Sequence, residues 1–170
     1  VNESWRDIVV PLVRALILPM SLLLILLEGL QRAAAGILVS ITPSITVQQL
    51  GWAQTEFANW VAITGIIASV IGVVFGAMVD RAGLVKVLFI FILLRMIGFV
   101  VLAYTEVYWQ NDQYFKAMVL AEGIMGQFVT MTVIGLFMRL CLPQVAATQF
   151  AVYMALANLT RSVGSGAVVP

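Results

Sequence analysis

The chain has 170 residues, 62% of them hydrophobic and only 10% charged, where an ordinary soluble domain carries about 25% charged residues. With a mean hydropathy of +1.07, too little polar surface remains to wrap a water-soluble globule, so lipid is the expected outer solvent. A formal net charge of +1 gives no reason to expect a nucleic-acid partner, and the absence of His together with a single cysteine, Cys141, excludes Cys/His metal sites, His-based triads and an internal disulfide.

A spanning helix needs about 20 mostly apolar residues, and five segments reach that length. The first is expected at 12–41, beginning after Pro11, bending at Pro19 and stopping before Pro43. The others are expected at 54–79, 84–104, 114–140 and 145–168. The links, Thr42 to Ala53, Asp80 to Gly83, Thr105 to Gln113 and Cys141 to Gln144, are short enough to make consecutive helices antiparallel neighbours. The fold class is therefore all-α and polytopic, because an open sheet edge in hydrocarbon would leave backbone groups unpaired. Residues 1–170 read as one partial transmembrane domain. Val1 in place of a methionine, and an apolar finish at Pro170, suggest a piece of a longer chain.

Lys and Arg near span ends give the orientation. Arg6, Arg14, Arg81, Lys86 and Arg139 fall on one side and only Lys116 on the other, which puts Val1, the Asp80 loop and the Leu142 turn in the cytoplasm. Tyr104, Tyr108, Trp109 and Tyr114 read as an interfacial aromatic belt at the outer side.

Between the second and third spans the chain reads Gly76-Ala-Met-Val-Asp80-Arg81-Ala-Gly83-Leu-Val-Lys86. A tight polar turn would account for it in any membrane protein. The spacing also resembles the signature loop of the major facilitator superfamily, with Gly76, Asp80, Arg81 and Gly83 in place and Lys86 as a later basic residue, while Leu84 and Val85 depart from the usual basic pair. Ala147-Thr148-Gln149-Phe150-Ala151, and Gly51 to Phe57, are similar to segments of the branch that carries muropeptides and acetyl-CoA. The resemblance implies five helices, about the seventh to the eleventh, of one six-helix half of a two-half transporter. It also implies that Gly76, Asp80, Arg81, Gly83 and Lys86 form a gating loop, and that the other half of the chain is missing here. Localisation would be a bacterial inner membrane.

Five charges lie well inside the expected spans: Glu28, Arg32, Arg95, Glu122 and Arg161. Each would cost at least about 2.5–3.5 kcal/mol if left bare at the bilayer centre, so they are expected to face one another or water. On the first span Arg14, Ser21, Glu28 and Arg32 share a narrow arc, and Glu28 with Arg32 stands in the favourable i,i+4 order. On the fifth, Met154, Asn158, Arg161, Ser162 and Ser165 share a face. Depth estimates pair Glu122 with Arg161 or Arg32; the resemblance, in which the third span corresponds to a peripheral ninth helix, implies that Arg95 is an inward structural tie.

The function that the resemblance implies is secondary active transport, a proton-coupled symport of an anionic solute such as an anhydro-muropeptide. Glu28 and Glu122 are the proton-coupling candidates, and Arg32, Gln31, Gln127, Asn158, Arg161, Ser162 and Ser165 the substrate or cavity candidates. Asn59 and Thr64 would line the same path, and Gly65, Ser69, Gly72 and Gly76 would form a packing ridge. The partners are then the solute, protons and the bilayer, with no cofactor and no metal. Two alternatives stay open, a major-facilitator carrier of another substrate class and a non-transporting structural subunit whose buried charges fix helix register. An intramembrane enzyme is disfavoured, since no nucleophile stands beside a base.

Overall fold

The computed structural model describes residues 5–168, so the expectations placed on Val1 and Pro170 lie outside the described residues. Among these residues the chain is all helical, with six α-helices: α1 Trp5–Ile17, α2 Pro19–Ser44, α3 Gln54–Ala82, α4 Leu84–Tyr104, α5 Asp112–Leu140 and α6 Ala146–Gly166. Four stretches are long and apolar enough to cross a membrane: Pro19–Gln49, Gln54–Ala82, Leu84–Tyr104 and Asp112–Leu140. The expected fifth span forms as the continuous helix α6, but Gln149, Asn158, Arg161 and two serines keep it from qualifying by composition.

Proline chemistry redraws the first expected span. Pro19 has no N–H and its ring crowds the carbonyl four residues back, so the helix does not merely bend but breaks at Leu18 and restarts as α2. The other end runs past Pro43 instead of stopping before it. The disturbance is absorbed by a π-helical stretch, Ile45–Gln49, and by two hydroxyls that serve nearby carbonyls: Thr42 Oγ1 donates to Leu38 at 2.7 Å and Thr46 Oγ1 to Pro43 at 3.2 Å.

The link between α3 and α4 shrinks to one residue. Gly83 takes φ +92°, a conformation open to glycine, so α3 continues through Ala82 and carries Asp80 and Arg81 in its last turn.

The chain divides into two compact units. One comprises the chain through Thr42 together with the residues from Gly135 onward, and the other Pro43–Ile134. In the first, α2 and α6 run parallel, meeting from Ser21 beside Tyr153 to Ser40 beside Ser165. Their backbones touch. A β-carbon on Gly36 would lie 2.2 Å from the Arg161 carbonyl oxygen, and one on Gly164 the same distance from the Ala33 carbonyl oxygen. Small residues permit this approach, which suits membrane helices that gain little from apolar burial against one another.

In the second unit α5 touches both other helices. It runs parallel to α3, with Glu56 beside Lys116 and Gly72 beside Met131, and antiparallel to α4, with Phe91 stacked on Phe128 at 4.3 Å and Arg95 beside Glu122. The expected glycine ridge of α3 contributes less than its spacing implies. Gly65 faces open space, and Gly72 and Gly76 meet only side-chain atoms of Gln127 and Met131.

Candidate functional site

In the first unit, α2 turns Ser21, Leu24, Glu28 and Gly36 inward. Glu28 is 3% exposed, and Arg32 Nε donates to its Oε1 at 2.6 Å, one helical turn away. The expected i,i+4 pair is therefore formed within α2, where burial strengthens it and solvent does not screen it. Arg14 leaves the expected arc, because the break at Leu18 places it on α1.

Helix α6 divides its polar residues between two faces. Gln149, Tyr153, Ala157 and Gly164 are buried, whereas Asn158, Arg161 and Ser162 are exposed. Arg161 makes no ion pair or side-chain hydrogen bond among the described residues, and Ser162 satisfies only the local Asn158 carbonyl at 3.1 Å. Ser165 leaves that stripe, because its hydroxyl meets Ser40 Oγ at 2.8 Å on the α2 seam. Gln31, on α2, is half-buried.

The buried face of α6 carries a chain of neutral hydrogen bonds that sequence reasoning missed. Gln149 Oε1 accepts from Leu142 N at 2.9 Å, and its Nε2 donates to the Leu140 carbonyl at 3.2 Å and to Tyr153 Oη at 2.7 Å. Tyr153 Oη in turn donates to Ser21 Oγ at 2.9 Å. Ser21 and Gln149 are 0% exposed, and Phe137 stacks on Tyr153 with ring centres 4.4 Å apart. The i,i+4 spacing of Gln149 and Tyr153 was visible, but the partners supplied by α2 and the α5 end were not. Cys141 lies in the same turn, and burial pushes its thiol above the ordinary cysteine range. That leaves less thiolate, which argues against a nucleophilic role.

In the second unit the structure corrects the partner of Glu122. Its carboxylate is held by Arg95, whose Nε donates at 3.0 Å and whose Nη2 closes a second, shorter contact, rather than by Arg161 or Arg32. The antiparallel α4–α5 register puts the two residues opposite each other, and Gly126 leaves room for the guanidinium, which also lies 5.6 Å from the Phe99 ring centre. Arg95 is buried and ties α4 to α5.

A second cluster was not foreseen. Lys116 Nζ reaches Glu56 at 2.8 Å and Asp112 at 2.7 Å, with the Trp52 and Trp60 ring centres 5.0 Å and 5.9 Å away. Trp60 Nε1 donates to the Lys116 carbonyl at 3.2 Å. Asp112 and Lys116 carry an i,i+4 signal in the sequence, whereas Glu56 is 60 residues from Lys116.

On the α3–α5 seam Thr64 is 6% exposed, its methyl lies against Gly123 of α5, and its hydroxyl has no hydrogen-bond partner among the described residues. A buried hydroxyl without a partner costs about 1–3 kcal/mol. Gln127 lies farther along the same seam, beside Gly72, and is half-buried without a side-chain partner among the described residues. Asn59 is exposed. Asp80, Arg81 and Lys86 are exposed and form no ion pair among the described residues, and Gly76 is half-buried against Met131. Asp80 and Arg81, adjacent in the turn, are thus not paired with each other.

The candidate residues thus fall into an α2–α6 set, Glu28, Gln31, Arg32, Asn158, Arg161, Ser162 and Ser165, and an α3–α5 set, Glu122, Gln127 and the Asp80 segment. No family model matches the chain, and neither a curated relative nor a solved structure matches it.

Proposed function

We propose that the chain is part of a secondary active membrane transporter that moves an anionic solute together with protons. The observation that carries the reading is Arg161. One face of α6 is locked against α2 by backbone contact, yet the adjoining face leaves Arg161, Asn158 and Ser162 uncovered. A guanidinium beside membrane-spanning helices is tolerated where it meets water, a counter-charge or a solute. A face of hydrogen-bonding groups around one cation suits a carboxylate or phosphate.

Glu28 and Arg32 supply the coupling in this reading. A proton taken from the outer side neutralises the Glu28 carboxylate and dissolves its pair with Arg32, which frees the guanidinium for the anion. Loss of the proton to the inner side restores the pair and expels the solute. Glu122, already tied to Arg95 between two helices, serves architecture instead. The exposed Asp80-Arg81 segment fits the gating role that its resemblance to the major-facilitator loop implies, and the complete site would need the second half of such a transporter.

The competing reading, a structural membrane subunit, draws on the fact that Glu28 and Glu122 both have ion-pair partners. Proteoliposomes of the full-length protein loaded with a pH-sensitive dye separate the two. Anhydro-muropeptide or acetyl-CoA added outside should drive proton entry, Arg161→Gln should raise the half-saturating concentration, and Glu28→Gln should abolish proton entry. Uptake and proton entry unchanged in both variants would refute the mechanism.

A further inference from the structure

The break at Leu18 creates a feature that solute transport does not use. Helix α1 has 13 residues, about 20 Å of helix, which is too short to cross a hydrocarbon layer of about 30 Å. It contacts α6, and Ala15, on its inner side, is 1% exposed. The opposite side presents Val9, Val13 and Ile17, all roughly half exposed, and these continue through Leu18 and Pro19 into an open groove of about 590 Å³. That volume falls in the range of small-molecule sites, about 300–1,000 Å³.

Among the described residues, Arg14 is the charged residue that lines the groove. It is exposed and forms no ion pair among the described residues. The groove adjoins Pro19, where the first candidate membrane span begins. A short helix with an apolar outer face and a cation at its margin is suited to lie at the boundary between headgroups and acyl chains. Its apolar length is matched by an acyl chain, and the Arg14 cation by a headgroup phosphate, since an arginine can hold two phosphate oxygens at once.

We infer that the α1–α2 elbow binds an anionic phospholipid, with one acyl chain along Val9, Val13 and Ile17 and the phosphate on Arg14. The charge decides for lipid over a protein partner: an apolar protein surface would leave Arg14 desolvated without a counter-charge, whereas a phosphodiester arrives with its acyl chain attached. The inference rests on the membrane spans and not on the transport reading.

Native mass spectrometry of the full chain released from detergent tests it, with phosphatidylglycerol and phosphatidylcholine of identical acyl chains as probes. One phosphatidylglycerol should be retained in preference to phosphatidylcholine by about fivefold, the worth of one arginine at an anionic surface. Arg14→Gln should remove the preference and Arg14→Lys keep part of it, while Val13→Trp, which fills the groove, should reduce retention of both lipids. Equal retention of the two lipids by the unaltered chain, a preference that survives Arg14→Gln, or a lipid-free dimer would overturn the proposal. Helical circular dichroism of each variant confirms that the fold is intact.

Discussion

The two units of this chain solve the problem of holding helices together in lipid by different means. In the unit built on α2 and α6, backbones touch at Gly36 and Gly164, and the buried polar links are neutral, running from Gln149 through Tyr153 to Ser21. Its one ion pair among the described residues, Glu28 with Arg32, stays within a single helix. The unit built on α3, α4 and α5 instead uses charge between helices, Arg95 with Glu122 and Lys116 with Glu56. Where close contact supplies cohesion, a charged group such as Arg161 is left uncovered. Where contact is looser, charges are consumed as ties.

The strongest way to break this contrast is to spoil the backbone seam. Gly164→Val, whose β-carbon would lie 2.2 Å from the Ala33 carbonyl oxygen, should cost about 3 kcal/mol or more in thermal unfolding in detergent. Gly65→Ala, placed in open space, should be neutral or stabilise by up to about 1 kcal/mol. Similar losses at both glycines would show that contact is not what distinguishes the units.

Removing one partner of a charge tie comes next. Arg95→Ala strands the Glu122 carboxylate and should cost about 2–3 kcal/mol, whereas Arg95→Met with Glu122→Met should recover most of that loss. A double variant no better than the single one would mean that the guanidinium acts through packing on Phe99 alone. In the other unit, Gln149→Leu orphans Leu142 N and the Leu140 carbonyl and should cost about 2 kcal/mol. Because the lost links are neutral, the size of that loss should not change with salt.

Lys116→Met gives the complementary and smaller effect. Its partners are half-exposed, so the loss of melting temperature should be seen in dilute buffer and fade near 1 M salt, where screening acts over about 3 Å. A loss independent of salt would assign the stability to the Trp52 and Trp60 rings instead. The smallest effect concerns reactivity. With its thiol raised by burial, Cys141 should alkylate more slowly than a free cysteine at pH 7–8, and its rate should keep rising above the pH at which a free thiol has levelled off. Labelling as fast as free cysteine would show that the turn next to Gln149 opens readily.

Helix positions were largely legible because their causes are local. The third expected span, 84–104, coincides with α4, and the second and fourth differ from α3 and α5 only at their ends. Hydrophobic length, Gly83 and the prolines act through the residues beside them. The first span was misread at both ends for an equally local reason, since whether a proline bends, breaks or is absorbed depends on how the backbone beside it adjusts, as the π-helical stretch after Pro43 and the hydroxyls of Thr42 and Thr46 do here.

Partners were another matter. The sequence by itself determined that this protein is a bundle of apolar helices carrying charges that need neutralising, and it placed a pair whose members lie on a single helix, Glu28 with Arg32, while the equally local Asp112 with Lys116 went unread. Only the tertiary structure decided that Glu122 belongs to Arg95, that Gly36 and Gly164 rather than Gly65 mark a close crossing, and that Arg161 is left uncovered. The physical reason is register. A pair on one helix is set by a repeat of about 3.6 residues per turn, whereas a pair between helices depends on how each slides and rotates against the next, which is settled by the fit of all their side chains together.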